Sequence, residues 1–415
     1  MPKGKRLRQK LRQTVFPVNE PLLIPGNKVT LLQNGEAYFP AIESAFDRAT
    51  HEIYLETYIY HNDATGRRVA DALRRASLRG VNVYLLIDGY GSKDLPQSML
   101  DYLRDAGVKT LVFRPKISPW TFKRVRLRRL HRKIVVVDRE IAFVGGINII
   151  DDCERTGDLP PRFDYAVAVE GPLVEVIRIS VRRLWSMVAW SRFHKGTTHG
   201  GPPPVSIFAG GQMSAAFLVR DNLRHRRDIE KAYLQAIEQA QYEVILAHAY
   251  FLPGLNFRHA LIGAAGRGVR VVLLLQGRVE YFLQHHATRA LYGNLLDAGI
   301  EIYEYSESLL HAKVAVIDGH WATVGSSNID PFSLLLSREA NVVVADAEFV
   351  ATLTQSLRQT IETNARRVLR DDWNQQPVYS RFTSWLSYGL LRFMMGISGY
   401  ESENIQAGNR RASAP

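Results

Sequence analysis

Residues 131–138 read His-Arg-Lys-Ile-Val-Val-Val-Asp, and residues 311–318 read His-Ala-Lys-Val-Ala-Val-Ile-Asp. In both octapeptides a lysine follows the histidine two positions later and an aspartate ends the run. Each is followed, at the same spacing, by a glycine-rich turn that ends in asparagine: Gly-Gly-Ile-Asn at 145–148 and Gly-Ser-Ser-Asn at 325–328. One such pattern has odds of roughly two in a hundred by chance, and two in register with an independent repeat indicate two copies of one structural unit.

The duplication extends outward from these motifs. Residues 72–89 (ALRRASLRGVNVYLLIDG) resemble residues 260–277 (ALIGAAGRGVRVVLLLQG), an offset of 260 − 72 = 188 positions. In each copy, short runs of β-branched and apolar residues alternate with helical patterns that end at glycine. This alternation predicts a mostly parallel, buried sheet covered by helices in each half.

The predicted fold class is therefore α/β, with two similar α/β/α sandwich lobes related by pseudo-two-fold symmetry and the active site at their interface. The glycine- and proline-rich stretch 196–211 is the predicted linker between the lobes. The expected divisions are a basic N-terminal arm at 1–28, lobes at 29–195 and 212–365, and a C-terminal amphipathic tail at 366–415.

The apolar cores of both motifs predict β-strands, in which residues two apart point to the same face. Histidine and lysine therefore project side by side, and two-fold symmetry can bring both pairs onto one substrate phosphate. One neutral imidazole can attack phosphorus while the other, protonated, donates to the leaving oxygen. The charge-stabilising and phosphate-binding candidates are Lys133, Lys313, Asn148, Asn328 and Ser326, and the two imidazoles belong to His131 and His311.

Two further pairs of carboxylates complete the candidate catalytic set. Asp164 and Glu339 open equivalent strands after the two motifs, and each is a candidate to orient a histidine and fix its tautomer. Asp138 and Asp318 close the motifs and belong to the catalytic signature. Their opposite strand parity to the histidines favours a structural role over proton transfer.

The overall composition limits the partners and the chemistry. The net charge is +12, which predicts an anionic partner without distinguishing nucleic acid, acidic lipid or phosphorylated metabolite. Cys153 is the only cysteine, so no internal disulfide is possible and a reducing compartment is expected. The sequence contains no metal-binding or nucleotide-binding motif, and we predict neither metal nor cofactor.

With these residues in place, the sequence resembles the phospholipase D superfamily, and within it the short bacterial cardiolipin synthases without transmembrane helices. The likeness runs from about Val29 to Arg366 and includes the blocks at 56–60 (ETYIY), 88–92 (DGYGS), 170–172 (EGP), 249–251 (AYF) and 325–334 (GSSNIDPFSL). One departure is Gly146, where many members carry serine.

The resemblance implies the phospholipase D fold and a phosphatidyl group held on histidine. A second phosphatidylglycerol then accepts that group, which gives cardiolipin and glycerol. The resemblance implies that His131 is the nucleophile and His311 the general acid and base. The residues alone do not establish which histidine has which role. The resemblance also implies peripheral attachment to the cytoplasmic side of the bacterial inner membrane, with a monomer plausible and no nucleic acid expected.

Three segments are candidates for contact with an anionic membrane surface. They are the seven cations between Lys123 and Lys133, the basic cluster from Lys3 to Arg12, and an apolar stripe in the tail. The stripe equally predicts packing on the protein's own core. It consists of Phe382, Trp385, Leu386, Leu390, Phe393, Met394 and Ile397.

Other functions also fit parts of the pattern. A phosphodiesterase or nuclease of the same chemistry is consistent with the positive charge, although the sequence arranges no aromatic stacking platform. Transfer of the phosphatidyl group to another alcohol, or to water, depends on the shape of the pocket. A lipid-binding protein without activity is disfavoured because both motifs are complete.

Overall fold

The computed structural model describes residues 21–115, 128–152, 160–191, 210–221, 225–330, 337–374 and 378–397. Its strands are β1 (Ile24–Gln33), β2 (Glu52–Thr57), β3 (Asn82–Asp88), β4 (Lys109–Phe113), β5 (Arg129–Leu130), β6 (Lys133–Val137), β7 (Ile141–Gly145), β8 (Tyr165–Glu170), β9 (Met213–Arg220), β10 (Glu243–His248), β11 (Arg270–Gln276), β12 (Glu301–Tyr305), β13 (Lys313–Ile317), β14 (Trp321–Gly325), β15 (Ser337–Ala345) and β16 (Ala365–Val368). Its helices span Asn34–Arg48, Ala64–Leu78, Gln97–Asp105, Leu173–Trp190, Asp228–Gln239, Leu255–Gly266, Phe282–Arg289, Tyr292–Asp297, Ala347–Asn364, Arg370–Asn374 and Val378–Ile397.

The strands join into one continuous sheet with a symmetric order. From edge to edge the order is β16-β12-β11-β10-β13-β14-β15-β9-β1-β8-β7-β6-β2-β3-β4, and β5 pairs with β15. The central strands β1 and β9 are antiparallel, with Asn27 opposite Met213. Counted outward from this pair, both lobes repeat the same strand order, so the pseudo-two-fold axis passes between β1 and β9. This arrangement confirms the two similar lobes that the repeat predicts.

The sheet is less parallel than the sequence pattern predicted. Strands β2, β3 and β4 are parallel, as are β10, β11 and β12. The strands that carry and follow each motif pair antiparallel with their neighbours. The expectation of mostly parallel sheets was wrong here because the segment 138–140 between β6 and β7 is too short for a crossover and permits only a hairpin.

Helices cover both faces of the sheet. Helices Leu173–Trp190 and Ala347–Asn364 lie over one face, and their apolar side chains share a single core with strand residues of both lobes. Separate cores on the opposite face bury the remaining helices of the first and second lobe. The layering is therefore α/β/α, and the shared core holds the two lobes in a fixed relation.

The lobe edges extend beyond the limits expected from the sequence. Strand β1 begins at Ile24, inside the segment assigned to the basic arm. Strand β16 pairs with β12, and helix Val378–Ile397 packs on helix Phe282–Arg289. Part of the tail thus belongs to the second lobe. Most of the predicted linker, at 196–209, and the cluster from Lys3 to Arg12 lie outside the described residues.

Candidate active site

Each motif histidine lies immediately before a buried strand, and its lysine begins that strand. The Nζ of Lys133 donates to the backbone oxygen of His131 over 2.7 Å, and Lys313 makes the same contact with His311. Both lysines are buried, whereas the imidazoles keep 15% and 10% of their side-chain surface exposed. The lysines therefore support the histidines from within the protein, and the imidazole edges remain reachable by substrate.

Each histidine is oriented by a carboxylate of the other lobe. His131 Nδ1 lies 3.0 Å from Glu339 Oε2, and His311 Nδ1 lies 2.6 Å from Asp164 Oδ2. An ionised carboxylate only accepts, so the Nδ1 beside it carries the hydrogen and Nε2 keeps its lone pair. Burial raises the pKa of Asp164 to about 7, although the charges of Lys313 and Lys133 oppose it. Both orienting candidates thus contact a histidine, but across the lobe interface rather than within the lobe whose motif they follow.

Backbone pairing explains this crossing. The amide of His131 donates to the carbonyl of Arg338 over 3.0 Å, and the amide of His311 donates to the carbonyl of Phe163 over 2.8 Å. Arg338 and Phe163 are the residues directly before the two orienting carboxylates. The chain of one lobe is therefore hydrogen-bonded to the strand entry of the other, which places each carboxylate beside the opposite imidazole.

A side chain at the end of a parallel strand holds the residue before each histidine. Asp88 Oδ2 accepts from the amide of Leu130 over 2.8 Å, and Gln276 Oε1 accepts from the amide of Leu310 over 2.8 Å. Sequence reasoning missed these supports. The signal was present, because Asp88 and Gln276 occupy equivalent positions in the repeated segments 72–89 and 260–277.

The two glycine-rich turns differ in a way that matches the two carboxylates. Ser326 is fully buried and donates its hydroxyl to Glu339 Oε2 over 2.6 Å. At the equivalent Gly146, a Cβ would lie 2.3 Å from Asp164 Oδ1. The shorter aspartate thus occupies the space that a serine side chain would need. In the structure the Ser326 hydroxyl contacts an orienting carboxylate, and its binding of a substrate phosphate remains a prediction.

The two asparagines are buried beside the motifs. Asn148 accepts from the amide of Ile59 through Oδ1 over 3.2 Å and lines a small cavity together with His311 and Arg162. Asn328 is also buried. Their binding of a substrate phosphate remains a prediction.

The motif aspartates lie at the other end of the strands, about 20 Å from the histidines for a run of this length. Asp138 accepts from the amides of Thr50, His51 and Glu52 at 2.8–3.0 Å. Asp318 accepts from three consecutive amides, at 241–243, over 2.7–2.8 Å. Both have a positive φ, 52° and 50°, at the hairpin turn. These contacts tie the hairpin to the neighbouring strand, as the strand parity suggested, and give neither residue a part in proton transfer.

Burial and crowding of cations set the electrostatics of the site. Burial lowers the pKa of Lys133 to about 7 and that of Lys313 to about 8. Burial also lowers the pKa of His131, although Glu339 opposes it. The pKa of His311 falls well below its usual value through burial and the charges of Lys313, Arg162, Lys133 and His131. The two imidazoles are thus electrostatic neighbours, and the lowered pKa of each favours its neutral form.

The structure also brings residues to the site that no motif marked. The ring of Tyr58 lies 4.8 Å from that of His131 and 5.4 Å from Lys133 Nζ. On the His311 side, Arg162 Nη2 donates to Glu280 over 3.3 Å, and Tyr250 donates to Glu280 over 2.6 Å. Tyr58 and Tyr250 belong to the family-like blocks 56–60 and 249–251, whereas the ion pair of Arg162 with Glu280 had no sequence signal.

The basic stretch before the first motif is only partly available to a membrane. Residues 123–127 lie outside the described part of the chain. Arg132 is buried in an ion pair with Glu56, and Lys133 is buried in the site. These two cations are therefore unavailable for the contact with an anionic surface that is predicted for this stretch.

Two kinds of feature are absent from the described residues. Among them, no helix is sufficiently long and apolar to cross a lipid bilayer. In the same part of the chain, no three His, Cys, Asp or Glu side chains cluster in a way that could hold a metal ion.

Comparison with known proteins places this site in a family. The family model described as "Cardiolipin synthase, PLD-like domain" matches residues 42–155 and 233–361. Cardiolipin synthase B of Escherichia coli strain K12 is 39% identical over 380 residues, which cover 90% of each chain. A probable cardiolipin synthase of Bacillus subtilis is 30% identical over 341 residues, 82% of this chain and 67% of the relative.

The structural comparison agrees on the fold. The crystal structure of phosphatidylserine synthase from Haemophilus influenzae superimposes with a TM-score of 0.62 at 14% identity, covering 95% of this chain and 98% of that one. Two motifs, their mirrored strand order and these relatives lead to one conclusion: the chain belongs to the cardiolipin synthase family of phospholipase D-like proteins.

Proposed function

We propose that this protein is a cardiolipin synthase that transfers a phosphatidyl group from one phosphatidylglycerol to another and releases glycerol. The observation that carries the proposal is the crossed pair of hydrogen bonds from His131 to Glu339 and from His311 to Asp164. It orients two imidazoles around one site and gives both the same tautomer. The 39% identity to cardiolipin synthase B over 90% of the chain supports the choice of substrate.

In the first step, Nε2 of His131 attacks the phosphorus of the donor lipid and forms a P–N bond. The P–O bond to glycerol breaks, and the glycerol oxygen takes a proton from Nε2 of His311. The anionic phosphodiester offsets the charges of Lys133, Lys313 and Arg162. Since those charges lower the pKa of His311, binding of substrate allows that imidazole to hold the proton it must donate.

In the second step, His311 takes the proton of a hydroxyl on the second phosphatidylglycerol. That oxygen attacks phosphorus, the P–N bond breaks, and cardiolipin leaves with His131 restored. Lys133, Lys313, Asn148 and Asn328 stabilise charge on the non-bridging oxygens in both steps. The assignment of His131 as nucleophile follows the family resemblance. The enzyme acts as a peripheral protein on the cytoplasmic side of the bacterial inner membrane, where this lipid substrate is its partner.

The test is incubation of the purified chain with phosphatidylglycerol vesicles, with and without a chelator, and identification of lipid products by mass. We expect cardiolipin and an equal amount of glycerol in both conditions. Phosphatidic acid alone would show hydrolysis in place of transfer, and no product at all would refute the proposal.

The histidines are tested separately. Both His131→Ala and His311→Ala should lower turnover by about 10⁴-fold or more. The first variant lacks the nucleophile that forms the P–N bond, and the second lacks the group that transfers the proton. Brief reaction with labelled lipid should leave an acid-labile, base-stable label on His131. A label on His311 would reverse the two roles, and full activity of either variant would contradict the mechanism.

A further inference from the structure

The C-terminal helix Val378–Ile397 has one face on the protein and one in solvent. Ser384, Ser387 and Leu391 are buried, and Leu391 joins the core of the second lobe. The opposite face leaves large apolar side chains exposed: Phe382 at 59%, Trp385 at 67%, Leu386 at 54% and Leu390 at 46%. The described part of the apolar stripe expected from the sequence therefore lies on the solvent-facing side of the helix, and a different side packs on the core. The side chains of Phe393, Met394 and Ile397 lie outside the described set.

A second exposed apolar segment precedes the helix on which the C-terminal helix packs. Val279, Tyr281 and Phe282 are exposed at 56%, 56% and 60%, and Phe282 begins helix Phe282–Arg289. That helix contacts the C-terminal helix. We call the seven side chains of the two segments the tail patch. Exposed apolar side chains gathered on two packed helices are typical of a surface that binds another phase or molecule.

The composition of the tail patch favours a lipid interface. Residues 378–397 contain two arginines and no acidic residue. The Arg392 guanidinium carbon lies 5.9 Å from the Tyr388 ring centre. Tryptophan and tyrosine with flanking arginine suit the boundary between headgroups and acyl chains, and an anionic leaflet attracts the cations.

The tail patch is linked to the active site through a short chain of contacts. The Tyr281 ring lies 5.8 Å from the Tyr250 ring, and Tyr250 donates to Glu280. Glu280 accepts from Arg162, which lines the cavity beside His311. A bilayer seated on the tail patch would therefore lie on the His311 side of the site.

We propose that the tail patch docks the enzyme on the interface of a bilayer that contains anionic phospholipid and delivers lipid headgroups to the site. The inference rests on the proposed function, because a lipid substrate is what makes the bilayer the occupant. Another exposed apolar face, with Ile179 at 56% and Trp190 at 82%, lies on helix Leu173–Trp190 and provides a matched control.

The test compares the full chain with the triple variant Phe382→Ser, Trp385→Ser, Leu386→Ser and the control variant Ile179→Ser, Trp190→Ser. Flotation and turnover are measured on phosphatidylglycerol vesicles, and turnover also on short-chain phosphatidylglycerol below its micelle concentration. We expect the triple variant to lose about tenfold or more in flotation and vesicle turnover. Turnover of the monomeric lipid should be unchanged, as should every reading of the control variant.

Unchanged flotation and vesicle turnover in the triple variant would overturn the proposal. The proposal would also be overturned if the wild type were a dimer and the triple variant a monomer with unchanged flotation and vesicle turnover. A second copy of the chain would then be the occupant of the tail patch. Failure to make cardiolipin from both vesicles and monomeric phosphatidylglycerol would refute the proposed function. Flotation would still test the docking surface in that case. If the triple variant unfolds, quenching of tryptophan fluorescence by brominated lipid replaces it as the test. We expect quenching in the wild type and less quenching in Trp385→Phe, and equal quenching would overturn the proposal.

Discussion

The two halves of the active site share one plan but differ in their details. In one half, Glu339 reaches His131 and also accepts a hydrogen bond from Ser326. In the other, the shorter Asp164 reaches His311, and Gly146 leaves room for it. The carboxylate and the turn residue have therefore changed together. Each histidine is thus oriented by a matched pair, a carboxylate and a turn residue. Both members of the pair lie in the lobe opposite to that histidine.

A second difference lies one residue after each histidine. Arg132 forms a buried ion pair with Glu56 and donates to Ser180 Oγ over 3.0 Å. The repeat places alanines, Ala312 and Ala247, at the equivalent positions of the second lobe. The first lobe thus holds its motif with charges where the second uses close apolar packing.

Among changes that keep both histidines, the largest effect should come from neutralising the orienting carboxylates. We expect Glu339→Gln and Asp164→Asn to lower turnover by about 10³-fold, because an amide can hold the imidazole in the wrong tautomer. Because the pairs cross, Glu339→Gln should shift the pKa of His131, and Asp164→Asn should shift the pKa of His311. NMR titration of the two imidazoles measures both values. The reverse assignment would contradict the crossed arrangement.

The buried ion pair tests the second difference. Glu56→Ala should cost about 3–5 kcal/mol of unfolding free energy, because it leaves the Arg132 guanidinium buried without its partner. The double variant Glu56→Ala, Arg132→Ala reproduces the residues of the second lobe and should recover part of that loss. Urea unfolding of both variants measures the difference, and equal losses would show that the charge pair has no special role.

Exchange of the turn residues should have opposite outcomes in the two lobes. Gly146→Ser places a Cβ against the Asp164 carboxylate and should lower turnover by about 100-fold through displacement of His311. Ser326→Gly removes one hydrogen bond to Glu339 and should cost about tenfold. Steady-state kinetics decide the order of the two effects. Equal losses would mean that the turns are interchangeable and that the pairing with the carboxylates is incidental.

The smallest effect is expected at the far ends of the motif strands. Burial raises the pKa of Asp318, but three backbone amides outweigh it and the net pKa is lowered. A lowered pKa adds stability above the unfolded pKa, and this contribution is lost as the pH falls through the folded value. Asp318→Asn should therefore cost about 1 kcal/mol at pH 7, given its partial solvent exposure, and less at pH 3. A large loss of turnover without loss of stability would instead indicate a catalytic role.

The sequence predicted the duplicated lobes, the motif strands and the residues that meet at the interface, because those features repeat at fixed spacing. It did not predict which carboxylate serves which histidine, since Asp164 and Glu339 each follow their own motif by a similar distance. That pairing depends on the backbone bonds of His131 to Arg338 and of His311 to Phe163, which join segments remote in sequence. Arg162 and Glu280 were missed for the same reason.

The central claim is that one phosphate is held between His131 and His311, each oriented from the opposite lobe. A crystal structure with tungstate, a tetrahedral oxyanion, tests it most directly. We expect one oxyanion per chain that contacts Nε2 of both histidines, with Nδ1 of each still bonded to the carboxylate of the other lobe. Two oxyanions, each on one histidine in a separate pocket, would contradict it.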